Sequence, residues 1–160
     1  MATRSTIALE YADGTVGQVY CHWDGYLENN GMLLYKHYSN PFVLRDLLDL
    51  GDISSLGPEI GEKHAFSQFD LPKEEVEAYK ALTENWTTFY GRDRGEDGAV
   101  QRMFADYENY ERCHQHEEYE YILRKDGVWY VKCHSAAYVP LADALAEHLR
   151  EKANEETLAA

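Results

Sequence analysis

Two parts of the chain, one near each end, alternate apolar and polar residues. Residues 5–11 show this alternation, and it resumes over 16–23 after Asp13-Gly14. The same arrangement recurs over 118–133 on the two sides of Asp126-Gly127. A period of two is typical of half-buried strands, and Asp-Gly supplies the positive φ angles of a tight turn. The pattern predicts two β-hairpins.

Helical spacing of apolar residues marks the middle of the chain and its end. Asn40-Pro41 supplies an N-cap and a first-turn proline for a helix that stops at Gly51. Further helices are predicted over 32–38, from 70 to 91 and from Pro140 onward. Two hairpins around a helical middle predict an α+β fold, with a mainly antiparallel sheet of about four strands and helices packed on one face.

The chain has the size of one domain. Its 160 residues, 44% of them hydrophobic, suffice for a packed core. We expect a single α+β domain over 1–152 and a polar, frayed tail over 153–160. A connecting loop is predicted over 52–62, and residues 100–113 suit a helix whose first part could also begin as a strand.

A formal net charge of −14 bears on the partners of the protein. Such a charge repels nucleic acid and anionic membranes, so direct binding to either is not expected. The same field steers a protein towards basic surfaces, including those of proteins that act on nucleic acids. The simpler alternative is that the acidity only keeps the protein soluble.

The three cysteines, Cys21, Cys113 and Cys133, are too few and too widely spaced for a disulfide framework. They favour a reducing compartment. The first residues lack the apolar run of a signal peptide, and no segment has the length of a membrane span. These features predict a cytoplasmic protein.

Residues 20–26, Tyr-Cys-His-Trp-Asp-Gly-Tyr, hold the densest chemistry of the chain. Cys21 and His22 could be a nucleophile and its base, but neighbours on a strand point to opposite faces, so a base from elsewhere would be needed. Strand geometry instead predicts Cys21 and Trp23 in the core, with His22 and Asp24 on the other side. His22 and Asp24 are therefore candidates for the edge of a pocket.

Arg92 and Arg94 stand in a charged loop that is conspicuous in an acidic chain. Two guanidinium groups could bind a phosphate or carboxylate, in a candidate pocket with His22 and Asp24. The alternative is an exposed loop whose own acidic residues neutralise both arginines.

Metal binding is a further alternative. Cys113, His114 and His116 are close in the sequence, and adjacent hairpins would also bring together Cys21, His22, Cys133 and His134. The spacing matches no paired Cys-x-x-Cys pattern, so we predict no metal and no cofactor. The nucleotide-binding glycine loop, the Gly-x-Ser-x-Gly elbow and the His-Glu-x-x-His helix are absent from the sequence, which favours a protein without enzymatic activity.

Tyrosines and carboxylates interleave between residues 106 and 121. Carboxylates set among aromatic rings could imitate the edge of a nucleic acid to a basic protein. The alternative is a solvated helix face whose tyrosines point inward. The predicted acidic surface consists of Asp106, Glu108, Glu111, Glu117, Glu118 and Glu120.

Four separated motifs resemble those of small acidic proteins encoded by bacteriophages and prophages. They are Thr-Arg-Ser-Thr-Ile-Ala at 3–8, Tyr-Cys-His-Trp-Asp-Gly-Tyr at 20–26, Gly-Asp-Ile-Ser-Ser-Leu-Gly at 51–57 and Gly-Arg-Asp-Arg-Gly-Glu at 91–96. The resemblance spans most of the chain and implies a phage context. It brings no catalytic residue with it.

Charge, missing motifs and resemblance together predict a non-enzymatic phage inhibitor or host-takeover protein in the host cytoplasm. Its acidic surface would bind a host nucleic-acid-handling or defence complex, in part by DNA mimicry. One alternative is a small-molecule-binding, nucleotide-binding or metal-dependent protein built on His22, Asp24 and the Arg92–Arg94 loop. Another is a virion or assembly component. The sequence leaves the oligomeric state open.

Overall fold

The computed structural model describes residues 2–134 and 136–159. Its strands are β1 (Ser5–Glu10), β2 (Val16–Cys21), β3 (Ile53–Ser55), β4 (Thr88–Phe89), β5 (Arg102–Phe104), β6 (Tyr119–Leu123), β7 (Trp129–Cys133) and β8 (Val139–Pro140). Its α-helices are α1 (Met32–His37), α2 (Pro41–Asp49), α3 (Val76–Thr83), α4 (Tyr90–Arg94), α5 (Tyr107–Cys113) and α6 (Leu141–Ala159). A π-helical turn covers Leu27–Gly31, and 3₁₀ turns cover Gln68–Asp70 and Lys73–Glu75. Met1 and Ser135 of the predicted domain and Ala160 of the predicted tail lie outside the described residues.

Both predicted hairpins are confirmed. β1 pairs antiparallel with β2, and β6 pairs antiparallel with β7. The turns contain Gly14 and Gly127 at φ angles of 91° and 85°, which residues with a Cβ rarely adopt. The Asp13 carboxylate accepts hydrogen bonds from the amide and the hydroxyl of Thr15 and stabilises the first turn.

The prediction of a mainly antiparallel sheet of about four strands is wrong. Among the described residues the sheet has eight strands and is mixed, with the order β4-β3-β2-β1-β6-β7-β8 and with β5 paired to β2. The two hairpins join through β1 and β6, which run parallel. A parallel pair needs a long connection, here residues 11–118 between β1 and β6, and such a pairing leaves no local mark in the sequence.

The outer edge of β2 is shared between two short strands. Residues 16–18 pair with β5, and Cys21 pairs with Ile53 of β3. Residues 53–55 therefore belong to the sheet, although the sequence indicated a loop over 52–62. Strands of two or three residues are too short to show a period of two.

Helices cover both faces of the sheet, whereas one face was predicted. On the first face, α1, α2 and α6 pack on the main core, which includes Ile7, Val19, Leu34, Leu44, Tyr121 and Leu141. On the second face, α5 packs on a smaller core of Ala8, Val16, Tyr110 and Ile122. Both faces of β1 are consequently buried, and the second face includes the polar side chains of Thr6 and Glu10.

The helices follow the local signals only in part. α2 begins as predicted, because the Asn40 side chain accepts the Phe42 amide at 2.9 Å. The helix predicted from 70 to 91 is shorter, since α3 ends at Thr83 and β4 pairs with β3. α6 is helical to Ala159, through the segment predicted to fray. None of the helices in the described ranges has the length and apolarity of a membrane span.

Candidate functional site

The segment from 106 to 120 combines α5, a loop and the start of β6. Tyr110 of α5 is fully buried against the second face of the sheet and stacks on the His114 ring, with centroids 4.2 Å apart. The buried side chain of Gln18 in β2 bonds the carbonyl and the amide of Gln115, at 3.1 and 3.2 Å. These contacts hold the loop after α5 against the sheet.

A buried carboxylate lies beneath this loop and contacts two histidines. We name His114, His116 and Glu120 the histidine–glutamate cluster. Glu120 is 2% exposed. Its Oε1 is in close hydrogen-bond contact with His114 Nε2, and its Oε2 lies 3.2 Å from His116 Nδ1. The Tyr138 hydroxyl donates to Glu120 Oε1 at 3.3 Å.

The contacts of His114 determine the role of each ring nitrogen. Nδ1 lies 2.5 Å from the Tyr110 carbonyl oxygen, and because a carbonyl only accepts, Nδ1 carries a hydrogen. In a neutral ring, Nε2 would then present a lone pair to the Glu120 carboxylate. That contact would be repulsive, so a proton or another cation must lie between Nε2 and Glu120.

The electrostatics of the cluster favour an ionised carboxylate. Burial by itself raises the pKa of Glu120, but the hydrogen bonds from His114 and His116 outweigh it, and the net pKa lies below the ordinary value. Burial also raises the pKa of Tyr110 and Tyr138 well above the ordinary tyrosine value. Both tyrosine hydroxyls therefore stay neutral near neutral pH.

Thr6 lies opposite Glu120 in the β1–β6 register and on the same face of the sheet. Its side chain is fully buried, and its hydroxyl has no hydrogen-bond partner among the described residues. Buried hydroxyls are usually paired, because desolvation without a hydrogen bond is unfavourable. An unmatched polar atom thus lies beside the cluster.

The predicted acidic surface is only partly at the surface. Its exposed members are Asp106, Glu108, Glu111 and Glu118. Glu117 is half-buried, and Glu120 belongs to the buried cluster, so its assignment to the surface is corrected. The interleaved tyrosines include Tyr110 and Tyr121, which point inward and are fully buried.

Carboxylates buried elsewhere in the protein are neutralised by arginines. The pairs are Glu10 with Arg124 at 2.8 Å, Asp52 with Arg102 at 2.8 Å and Asp93 with Arg92 at 3.0 Å. Within the described ranges, none of the carboxylates at 106, 108, 111, 117 and 118 forms an ion pair with a basic side chain. The chain has 15 Lys and Arg against 29 Asp and Glu, so arginines used inside leave the surface strongly negative.

A second row of carboxylates, absent from the predicted surface, lies along α6. It consists of the exposed residues Asp143, Glu147, Glu151 and Glu155. Residues four apart share one face of a helix and lie about 6 Å apart along its axis. The i, i+4 repeat of carboxylates is the sequence signal that identifies this row.

The residues at the end of β2 and just after it are not distributed between core and surface as predicted. Cys21 is fully buried as expected, whereas Trp23 is 43% exposed, because β2 ends at Cys21 and the alternation stops there. His22 Nδ1 lies 2.7 Å from the Tyr20 hydroxyl. Asp24 is exposed and has a φ of 56° in the turn that follows.

The two arginines of the predicted pocket have partners of their own. Arg92 binds Asp93 and donates to the backbone carbonyls of residues 60, 61 and 87. Both arginines lie in α4 and not in the predicted loop, although Arg94 pairs with the nearby Glu96 as expected. In the described part of the chain, no hydrogen bond or ion pair joins either arginine to His22 or Asp24. The hydrogen bonds of Arg92 therefore stabilise the backbone around α4 and residues 60–61.

Comparisons with protein-family models, curated proteins and solved structures found no match to this chain. The phage family suggested by the motifs therefore stays a prediction.

Proposed function

We propose that this protein acts without catalysis, by binding a protein or protein complex that has a basic surface. The observation that carries the proposal is the contrast between arginine-paired buried carboxylates and the unpaired carboxylates of residues 106–118. Carboxylates that form no ion pair within the chain are available to the lysines and arginines of another protein. The resemblance to phage proteins suggests a host nucleic-acid-handling or defence complex in the host cytoplasm as that partner.

The net charge of −14 would act mainly on the association rate. Electrostatic steering raises on-rates by about 10- to 1,000-fold, and the gain falls as ionic strength rises. Salt dependence of binding is therefore a direct consequence of the proposal.

Any mimicry of DNA by these carboxylates would be partial. Carboxylates four residues apart on a helix lie about 6 Å apart along the axis. Duplex DNA carries one charge about every 1.7 Å. The acidic rows can therefore meet individual basic residues of a nucleic-acid-binding groove, but they do not reach the charge density of a duplex.

A pull-down from bacterial lysate with mass-spectrometric identification tests the proposal. The test variant reverses four charges: Glu108→Lys, Glu111→Lys, Glu117→Lys and Glu118→Lys. The matched control makes the same change in net charge on other exposed carboxylates: Glu74→Lys, Glu75→Lys, Glu77→Lys and Glu84→Lys. We expect a stoichiometric nucleic-acid-binding partner that wild type and control retain and the test variant loses, with capture weakening as salt is raised.

Circular dichroism of both variants checks that each remains folded. Equal loss of the partner in test and control variants would mean that only net charge matters and would contradict a defined surface. Recovery of no stoichiometric partner would contradict the proposal itself.

A further inference from the structure

We propose that the histidine–glutamate cluster binds one divalent transition-metal ion of the zinc class. One ligand atom from each of His114, His116 and Glu120 lies within 4.8 Å of the others. Ligands about 2.0–2.1 Å from a tetrahedral ion are about 3.3 Å apart. His116 Nδ1 lies 3.2 Å from Glu120 Oε2, which matches that spacing. His114 Nε2 and Glu120 Oε1 are in direct contact, closer than this spacing, so these two side chains must move apart for an ion to enter.

His114 has the orientation that metal-bound histidines adopt. Its Nδ1–H donates to the Tyr110 carbonyl at 2.5 Å, so in a neutral ring the Nε2 lone pair faces Glu120. A histidine ligand almost always donates its other ring hydrogen to a carbonyl or carboxylate in this way. For a neutral His114, a metal ion between Nε2 and the carboxylate would replace a repulsive contact by two coordinate bonds once the two atoms have moved apart.

Thr6 supplies an independent observation. Its hydroxyl is buried without a hydrogen-bond partner among the described residues, on the face and at the register position of Glu120. Three protein ligands leave a fourth tetrahedral position for water. A water bound there would give the Thr6 hydroxyl the partner that it lacks. The His116 side chain is 62% exposed and leaves the ion a route from solvent.

Two arrangements could neutralise Glu120 without a metal. Lys132 faces Glu120 in the β6–β7 register, but its Nζ lies over the Tyr138 ring, 5.7 Å from the centroid. Protonation of both histidines would also satisfy the carboxylate and form an ion-paired triad. The triad leaves Thr6 unmatched and predicts no metal binding, so a metal titration separates it from the proposal.

The ligand set indicates zinc rather than a hard cation. Imidazole nitrogen suits Zn²⁺ and its neighbours in the first transition row, whereas Mg²⁺ and Ca²⁺ prefer oxygen ligands. Cys113 is exposed and does not belong to the converging group. The proposed ligands are therefore two imidazoles and one carboxylate, without a thiolate.

Isothermal titration calorimetry of the EDTA-treated full chain with ZnCl₂ tests the site. A Cys113→Ser, Cys133→Ser background removes the accessible thiols as competing ligands. We expect one ion per chain. His116→Ala should weaken binding by more than about 100-fold, since the loss of a group that only supports a ligand weakens binding by about 10- to 100-fold. His37→Ala removes another exposed histidine, outside the cluster, and should leave the affinity unchanged.

Glu120→Gln provides a second variant of nearly the same shape, and it should also abolish tight binding. Absence of zinc binding, or equal affinity of His116→Ala and His37→Ala, would overturn the proposal and leave the ion-paired triad. Binding of MgCl₂ as tightly as ZnCl₂ would overturn it as well. These measurements need no partner protein, so their outcome is independent of the proposed function.

Discussion

Two buried carboxylates of this protein, Asp93 and Glu120, obtain their counter-charges and hydrogen bonds in different ways. Asp93 has a permanently charged partner in the chain. Its side chain accepts the backbone amides of His64 and Phe89 at 3.1 and 2.8 Å and pairs with Arg92 at 3.0 Å. Other guanidinium hydrogens of Arg92 go to backbone carbonyls. Because arginine keeps its charge at any physiological pH, the Asp93 carboxylate has a permanent counter-charge within the chain.

The counter-charges of Glu120 depend on the protonation of its partners. Its partners His114 and His116 carry charge only when they are protonated, and Thr6 lies beside it with no hydrogen-bond partner in the described part of the chain. Burial and residue type therefore do not separate a structural polar cluster from a binding cluster. The difference is whether the charges and hydrogen bonds are completed by the chain itself.

The largest effect on stability should come from removing the arginine partner of Asp93. Arg92→Met should lower the free energy of unfolding by about 3–5 kcal/mol, because the Asp93 carboxylate would stay buried without its cation. Arg94→Met is the matched control from the same helix, α4. Its side chain is 47% exposed, and its ion pair with Glu96 should contribute less than about 1 kcal/mol. Urea denaturation measures both, and equal losses would contradict the distinction.

Glu120→Gln tests the contribution of the histidine–glutamate cluster to stability in the metal-free protein. At neutral pH it should lower the free energy of unfolding by about 1–3 kcal/mol, since charge-assisted hydrogen bonds are lost. The pKa of Glu120 is lowered on folding, so its stabilisation is present above the ordinary pKa of 4.5 and is lost as pH falls through the lower folded value. The difference between wild type and variant should therefore shrink below about pH 4.5.

Denaturation at several pH values checks this dependence on Glu120. Glu108→Gln, at an exposed carboxylate without an ion pair, should change the free energy of unfolding by less than about 0.5 kcal/mol at neutral pH. A wild-type advantage that stays constant at acidic pH would contradict the assigned role of the carboxylate.

Thr6→Val should stabilise the metal-free protein, whereas Arg92→Met and Glu120→Gln should destabilise it. Removing an unpaired buried hydroxyl without changing the shape should raise the free energy of unfolding of the metal-free protein by about 1–2 kcal/mol. Thr87→Val is the control, because the Thr87 hydroxyl is also buried but bonds the amide and carbonyl of Gly57, at 3.0 and 3.3 Å. The control should destabilise by about 1–3 kcal/mol. Destabilisation by Thr6→Val would mean that the hydroxyl already has a partner.

The smallest effect is expected at the exposed carboxylates of α6. Glu151→Gln removes repulsion from Glu147 and Glu155 and should raise the free energy of unfolding by about 0.2–0.5 kcal/mol at low salt. Glu156→Gln is the control, because the residue four positions before it is Lys152. The gain of Glu151→Gln should fade in high salt, and a thermal melt at two salt concentrations measures it. A gain that high salt leaves intact would contradict the electrostatic account.

The sequence predicted those parts of the fold that depend on neighbours in the chain. The Asp-Gly turns and the Asn40 cap are complete within a few residues, so their local signal was sufficient. The parallel pairing of β1 with β6 joins opposite ends of the chain, and no local period reports it. The wrong sheet prediction follows from that difference.

The candidate site was predicted in part. His114 and His116 were named with Cys113 as a metal-binding alternative because of their residue types, but their spacing led us to predict no metal. Glu120 was assigned to the surface because it alternates with Tyr119 and Tyr121, and alternation indicates a solvated face when no second layer is known. α5 supplies that second layer, and it turns an apparently exposed carboxylate into a buried one.

Composition and local order by themselves determined the negative charge, the two hairpins and the start of α2, because each depends on residue counts or on residues adjacent in the chain. Only the tertiary structure decided which carboxylates are buried, which arginines neutralise them, and that Glu120 meets two histidines. The physical reason is that a polar group can be buried only where distant parts of the chain supply its charge and hydrogen-bond partners. Arg92 and Arg94 are two residues apart and alike in type, yet one completes a buried cluster and the other lies at the surface.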